Sequence, residues 1–272
     1  MKSVKPQNLI LGRFTARTFF EVSQVEVCLR RLPAAFDGYR LALLTDLHFG
    51  RFVTAAFVRR VLAAAEAARP DVLLLGGDMV NMPRKYTVEL AGMLSDLTPR
   101  LPTYAVYGNH DYYARHGRFR RSLTEAGVEV LVNEHRLLPA DGRDAGEAAA
   151  PLALVGLDDY NCGRPDYAAA VAGLPEGACT ILLTHNPLAG RLVDPRRPPD
   201  LMLAGHTHGG QIRLFGRALA PPSKKGACEA GKFERDGPPV YVSRGLGVAA
   251  LPVRVNAPPE LAIITLRVET PA

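Results

Sequence analysis

Five short polar clusters in this chain combine residue types that hold divalent cations. They are Thr45-Asp46-Leu47-His48, Gly76-Gly77-Asp78, Gly108-Asn109-His110-Asp111, Thr184-His185-Asn186 and Gly205-His206-Thr207-His208. Each follows a short apolar run that reads as a strand. In open α/β sheets the carboxyl ends of the strands form the ligand-binding edge, so all five clusters would meet on one rim. The chain has 7 histidines, and only His116 and His135 lie outside these clusters. Taken singly, each residue has a plain alternative. A lone histidine is more often a surface or hydrogen-bonded core residue, Asp78 behind two glycines could cap a turn, and Asn109 could be a turn residue. What a purely structural explanation does not supply is the coincidence at five strand ends.

The ligand types restrict the cation. Imidazole and carboxylate suit Mn, Fe, Zn, Co or Ni, with Mn²⁺ the expected choice, and no clustered thiolates point to structural zinc or an Fe–S centre. The four cysteines, Cys28, Cys162, Cys179 and Cys228, are widely spaced and form no CxxC pair. They are expected to be free thiols in a reducing compartment. Seven candidate ligands at these strand ends are too many for one tetrahedral ion. They suit two ions about 3.5–4 Å apart that share a carboxylate. Such a pair acidifies water between the ions and concentrates positive charge where an anionic phosphate would sit.

The clusters need a scaffold, and the pattern supplies one. Glu21 to Leu32 alternates and reads as an opening strand. Arg40 to Thr45, Asp71 to Leu75 and Pro102 to Val106 read as buried strands. Ala55 to Ala68, Tyr86 to Leu97 and Arg115 to Ala126 between and after them have helical character. Strand–helix alternation at this spacing predicts an α/β fold with a parallel section. Leu152 to Leu157, Thr180 to Thr184, Leu201 to Ala204, Val240 to Ser243 and Leu261 to Leu266 read as a second, mixed sheet in the same core. Asp141 to Ala150 reads as a loop between two strands. One domain over residues 1–272 is expected, with an N-terminal arm and opening strand over 1–38 and the motifs over 40–210.

The composition agrees. The chain has 272 residues, 47% hydrophobic and 22% charged, which excludes disorder, collagen and a small disulfide scaffold. No apolar run reaches the ~18 residues of a membrane-spanning helix. No apolar h-region follows Met1 to Leu11, so no cleaved secretory signal is expected. A net charge of +6 mildly favours anionic partners.

In order along the chain, Asp46-x-His48, Gly77-Asp78, Gly108-Asn109-His110, His185 and Gly205-His206-x-His208 resemble the motif set of the calcineurin-like metallophosphoesterases. Gly205 to Gln211, Ser243 to Gly247 and Pro258-Pro259-Glu260 extend the likeness. They look like the bacterial phosphodiesterase branch related to UDP-2,3-diacylglucosamine hydrolases. The resemblance implies a four-layer αββα sandwich with two mixed β-sheets and a two-metal site above it. It implies that Asp46, His48 and His208 hold one ion, that Asn109, His185 and His206 hold the other, and that Asp78 bridges them. It also implies that His110 stays outside the coordination sphere and faces the phosphate, oriented by Asp111. His110 could then stabilise charge and pass a proton to the leaving group.

The implied activity is hydrolysis of phosphodiester or pyrophosphate bonds. The narrower likeness points to an acylated UDP-sugar cleaved in lipid A synthesis, releasing UMP and lipid X. A general soluble phosphodiesterase or phosphomonoesterase is the enzymatic alternative, and a metal-binding interaction scaffold the non-enzymatic one. The expected localisation is cytoplasmic, with peripheral association at the inner membrane face. Arg115, Arg118, Arg120 and Arg121 would form a basic face for phosphates or lipid headgroups, or a solvated one. Phe19 and Phe20, with Leu9 to Leu11, would form an apolar arm or pack on the sheet. Tyr112, Tyr113 and Phe119 could line a cleft or the core, and Arg244 could reach the site or form a structural ion pair. No nucleic-acid module is recognisable.

Overall fold

A computed structural model describes residues 19–81, 85–114, 116–140, 150–215, 217–219, 230–233, 237–249 and 251–269. In chain order the elements are β1 (Glu21–Leu29), β2 (Arg40–Leu44), α1 (Ala55–Ala67), β3 (Val72–Gly76), α2 (Lys85–Ser95) and β4 (Thr103–Val106). Then come α3 (Asn109–Tyr113), α4 (His116–Glu125), β5 (Glu129–Val130), β6 (Glu134–Leu137), β7 (Leu152–Gly156), α5 (Tyr167–Ala170), β8 (Cys179–Leu183) and β9 (Leu201–Ala204). The last are β10 (Arg213–Leu214), β11 (Arg217–Ala218), β12 (Gly231–Phe233), β13 (Val240–Val242) and β14 (Glu260–Val268).

Two mixed six-stranded sheets result, ordered β1-β14-β2-β3-β4-β5 and β12-β13-β9-β8-β7-β6. In the first, β2 to β5 run parallel, while β14 is antiparallel to β2 and parallel to β1. In the second, β7, β8, β9 and β13 run parallel, with antiparallel partners at both edges. Strands β3, β7 and β9 are apolar and buried at every position because both of their faces are covered. Leu41, Leu43, Leu74 and Ile264 of the first sheet meet Leu154, Ile181 and Leu203 of the second in one buried layer. Helices α1, α2 and α4 cover the outer face of the first sheet. Helix α5 and the Pro187–Leu192 3₁₀ turn cover the outer face of the second. This is the expected αββα layering, except that Leu261 to Leu266, read as part of the second sheet, lie in β14 of the first, between β1 and β2.

Helix α1 shows how local rules seat one layer. The Thr54 hydroxyl accepts from the Phe57 amide and caps the helix. Phe57, Val58, Val61, Leu62 and Ala65 then recur at helical spacing and are buried on the sheet.

The opening strand is shorter than its pattern suggested. It ends at Leu29, and the chain turns at Arg30 and Arg31. The loop expected between strands falls between β6 and β7. Its residues 141–149 lie outside the described residues, as do Met1 to Leu11, Arg115 and Cys228. Cys28, Cys162 and Cys179 are free thiols. Among the described residues no helix is long and apolar enough to cross a membrane.

Candidate metal centre

Parallel strands place their carboxyl ends on one edge. Strand β2 delivers Asp46 and His48, β3 delivers Asp78, and β4 delivers Asn109 and His110. From the other sheet, β8 delivers His185 and β9 delivers His206 and His208. The backbone turns sharply to do this. Asp46, His48, Asp78, His206 and His208 all have φ between 47 and 69°. L-residues rarely adopt this left-handed region, and such strain collects where a fold over-determines a functional site.

The side chains converge. Asp46, His48 and His208 form one group whose ligand atoms lie within 4.8 Å of one another, and Asp78, His185 and His206 form a second. Asp78 Oδ2 belongs to both neighbourhoods, at 3.6 Å from His48 Nε2 and 3.3 Å from His185 Nε2. His208 Nε2 lies 3.1 Å from His48 Nε2 and 3.4 Å from Asp46 Oδ1, and His206 Nδ1 lies 3.2 Å from His185 Nε2. His110 forms a third group with His48 and Asp78, so the geometry also brings it within reach of an ion.

The donor set fits divalent cations. Asn109 Oδ1 is buried and has no hydrogen-bond partner, which is costly for an amide oxygen unless something else satisfies it. Burial holds His48 and His206 down to about 4 and pushes His208 well below the ordinary value, so these imidazoles stay neutral with lone pairs to offer. Burial works against the charge on Asp78, but the adjacent His185 outweighs it and holds the carboxyl far below the usual range. Burial likewise opposes the charge on His185, and the Asp78 carboxylate raises it to about 10. A proton on His185 thus balances a carboxylate that a cation would otherwise balance.

Supporting contacts fix the ring orientations. The Gly76 carbonyl accepts from His185 Nδ1 at 2.9 Å, which leaves Nε2 toward Asp78. The His206 amide donates to the Asp46 carboxylate at 2.9 and 3.1 Å. Gly108 leaves no room for a side chain, because a methyl group there would run into the Asp78 carboxylate.

Asn81 is a site residue that the sequence reading missed. Its Oδ1 accepts from His48 Nδ1 at 3.2 Å and His110 Nδ1 at 2.9 Å, which leaves His48 Nε2 toward His208 and Asp78. The Asn81 amide is pinned to the Phe49 carbonyl at 2.9 Å. Asn81→Ala is expected to lower kcat about 10–100-fold, the usual effect of losing a contact that orients a metal-site histidine. Asn81→Asp, which keeps an acceptor, should recover most of it. Wild-type turnover in Asn81→Ala, measured at saturating metal, would contradict this role.

Asp111 does not orient His110. Its carboxylate accepts from the backbone amides of Met79 at 2.9 Å, Val80 at 3.3 Å and Gly108 at 3.0 Å. Adjacent residues on a helix do not share a face, and Asp111 instead ties the β3 loop to the start of α3. Burial, with the Asp78 charge adding, pushes its carboxyl up to about 7.

Arg244 is a structural ion pair. It bonds Glu21 at 2.8 Å and Glu260 at 3.2 Å. The rest of its loop lies under the site, with the Gly247 amide bonded to the Asp46 carbonyl at 2.7 Å. Arg254, also missed, is fully buried there. Its guanidinium donates to the carbonyls of Gly247 at 2.7 Å, His208 at 3.1 Å and Ala257 at 3.2 Å. Arg254→Met should strand these carbonyls at about 1–3 kcal/mol each, partly offset by relief of the buried charge, for a net loss of about 3 kcal/mol. An unchanged midpoint in urea denaturation would refute that expectation.

Of the aromatic trio, Phe119 is in the core and Tyr112 donates to Asp158, while Tyr113 is exposed with its ring 5.6 Å from that of His110. Phe20 packs edge-on against Phe57 at 5.7 Å, and Phe19 is exposed. Leu9 to Leu11 lie outside the described residues. On α4, Arg118 and Arg121 are exposed and Arg120 pairs with Glu134 at 3.6 Å.

Comparison with known proteins agrees with this geometry. Residues 39–210 match the family model for calcineurin-like phosphoesterases. The chain belongs to that family. This phosphoesterase is 31% identical to the uncharacterized metallophosphoesterase YkuE of Bacillus subtilis over 94% of its own length and 88% of YkuE. It is 32% identical to the phosphodiesterase YaeI of Escherichia coli, over 84% of this chain and 82% of YaeI. A transmembrane protein with metallophosphoesterase domain from Danio rerio is 30% identical over 91% of this chain, which spans 57% of that longer protein. The phosphoesterase is a metal-dependent hydrolase of phosphoric esters, and its clustered ligands are consistent with a two-metal centre.

Proposed function

We propose that this phosphoesterase hydrolyses phosphodiesters at a centre of two divalent ions, with Mn²⁺ the natural occupant. Asp46, His48 and His208 would hold one ion, Asn109, His185 and His206 the other, and Asp78 both. The observation that carries the reading is Asp78 Oδ2, which sits between one histidine of each group at 3.6 and 3.3 Å. Ions held there would acidify water and neutralise the phosphoryl oxygens. His110 contributes separately. Asn81 engages its Nδ1, so Nε2 is the nitrogen open to pass a proton to the leaving oxygen. The buried layer shared by the two sheets supports reading the chain as one domain. The name phosphodiesterase carried by YaeI favours diesters.

Turnover of bis(p-nitrophenyl) phosphate with added Mn²⁺ tests this. Expected is hydrolysis that a chelator abolishes and metal restores. Turnover excludes a pure binding scaffold, and no turnover in metal-loaded, folded protein would overturn the phosphodiesterase reading.

For the natural substrate we propose a lipid-linked nucleotide, an acylated UDP-sugar cut at its pyrophosphate with release of UMP, as in lipid A synthesis. Such a substrate is met at the inner face of the membrane, so the corresponding localisation is cytoplasmic with peripheral attachment. The motif likeness from Gly205 to Gln211 and from Ser243 to Gly247 supports it. Each methylene sheltered from water adds about 0.8 kcal/mol, so kcat/KM on the acylated substrate should exceed that on its deacylated counterpart by about tenfold or more. Equal efficiency on the two would overturn the lipid reading and leave the phosphodiesterase intact.

A further inference from the structure

The loop carrying His206 and His208 runs directly into the β10–β11 hairpin. Phe215 at the hairpin turn is 95% exposed and has φ 51°, an uncommon conformation for a bulky side chain. Leu219, which follows β11, is 61% exposed, and Leu251 is 55% exposed. Leu251 adjoins the hairpin base, where its carbonyl accepts from the Gln211 side chain at 3.0 Å. The hairpin is anchored firmly to the site. The Leu219 amide bonds the Ile212 carbonyl at 2.9 Å, the Arg213 amide bonds Val255 at 2.9 Å, and the Val255 amide bonds Gln211 at 2.9 Å.

Single exposed apolar residues are ordinary, but several on one small projecting element mark a contact surface. The charge pattern indicates its partner. From Gly205 to Leu219 the sequence contains Arg213 and Arg217 and no Asp or Glu. Apolar side chains at a tip, on a stretch that carries cations and no anions, suit an interface that is negatively charged outside and hydrocarbon within.

We infer that the β10–β11 hairpin docks the metal rim on an anionic lipid bilayer, with Phe215 and Leu219 entering the acyl boundary and Arg217 at the headgroups. This rests on the proposed reading of a lipid-linked substrate and places its phosphates beside His206 and His208. It differs from the expected basic face on α4, which is a separate element.

The chain has no tryptophan, so Phe215→Trp installs a single tryptophan at the tip, which excitation at the red edge reads apart from the tyrosines. Vesicles of phosphatidylcholine with phosphatidylglycerol should shift its emission to the blue, and high salt should weaken the response. Vesicles of phosphatidylcholine alone should give much less. In flotation, Phe215→Asp with Leu219→Asp should cut partitioning of the protein about tenfold or more. Turnover of the soluble bis(p-nitrophenyl) phosphate by this double variant should stay at the wild-type level, which separates loss of docking from loss of the catalytic centre. No blue shift with anionic vesicles would overturn the proposal. So would a blue shift that grows with protein concentration without lipid, because that assigns the tip to a second copy of the chain. Unchanged flotation of the double variant would overturn it as well.

Discussion

Asp78→Ala is expected to lose bound metal and diester hydrolysis together. The carboxylate reaches one histidine of each ligand group, and its other oxygen accepts from the His110 amide at 2.8 Å. One truncation therefore removes the carboxylate proposed to be shared by both ions and one of the contacts that hold α3. It also leaves His48 and His185 facing each other's surroundings without the negative charge between them. Turnover should fall to about a thousandth of wild type or less, because a single remaining ion cannot hold attacking and leaving oxygens together. The fold should survive, because the hydrophobic layers on either side of both sheets do not include Asp78. Elemental analysis and a kinetic assay on the same sample check both halves. A variant that keeps two equivalents of metal, or keeps its activity, would remove Asp78 as the shared ligand.

His110→Asn separates binding from chemistry. His110 is adjacent to Asn109, whose orphaned oxygen points to a ligand role, yet its own Nδ1 is committed to Asn81. The variant is expected to keep its metal and to slow diester hydrolysis about 10²–10⁴-fold, the range of general acid–base assistance. The effect should shrink for substrates with good leaving groups, which need little proton donation. Because His110 also lies within reach of His48 and Asp78, the metal content decides its role. Loss of one metal equivalent would make it a ligand, and unchanged turnover would remove it from the chemical step.

The convergence of the candidate ligands was legible in the sequence for a simple physical reason. These residues follow apolar runs, parallel strands end on one edge, and few side-chain types can hold a cation. The motif positions therefore marked the strand ends as well as the chemistry. The helices were legible from period and propensity, as α1 shows, whereas β10 to β12 are too short to carry a period. Asp111 was misread because adjacency in sequence is not adjacency in space on a helix. Asn81 and Arg254 were missed because nothing local distinguishes them. Asn81 gains its role only when the β3 loop lies beside His48 and His110. Arg254 gains its role only when the distant His208 carbonyl joins those of Gly247 and Ala257, from its own stretch of chain, around the guanidinium. Both follow from tertiary contact, and a buried arginine surrounded by carbonyls has no pattern of its own along the chain.

The most direct test of the two-ion centre is the metal content of the phosphoesterase itself. The protein would be stripped with chelator, reloaded with excess Mn²⁺, freed of unbound metal and assayed for diester hydrolysis before elemental analysis. The geometry of Asp78 between the two ligand groups predicts two equivalents per chain in the fully active sample, with activity rising as the second equivalent binds. Full activity with one equivalent or fewer would contradict it.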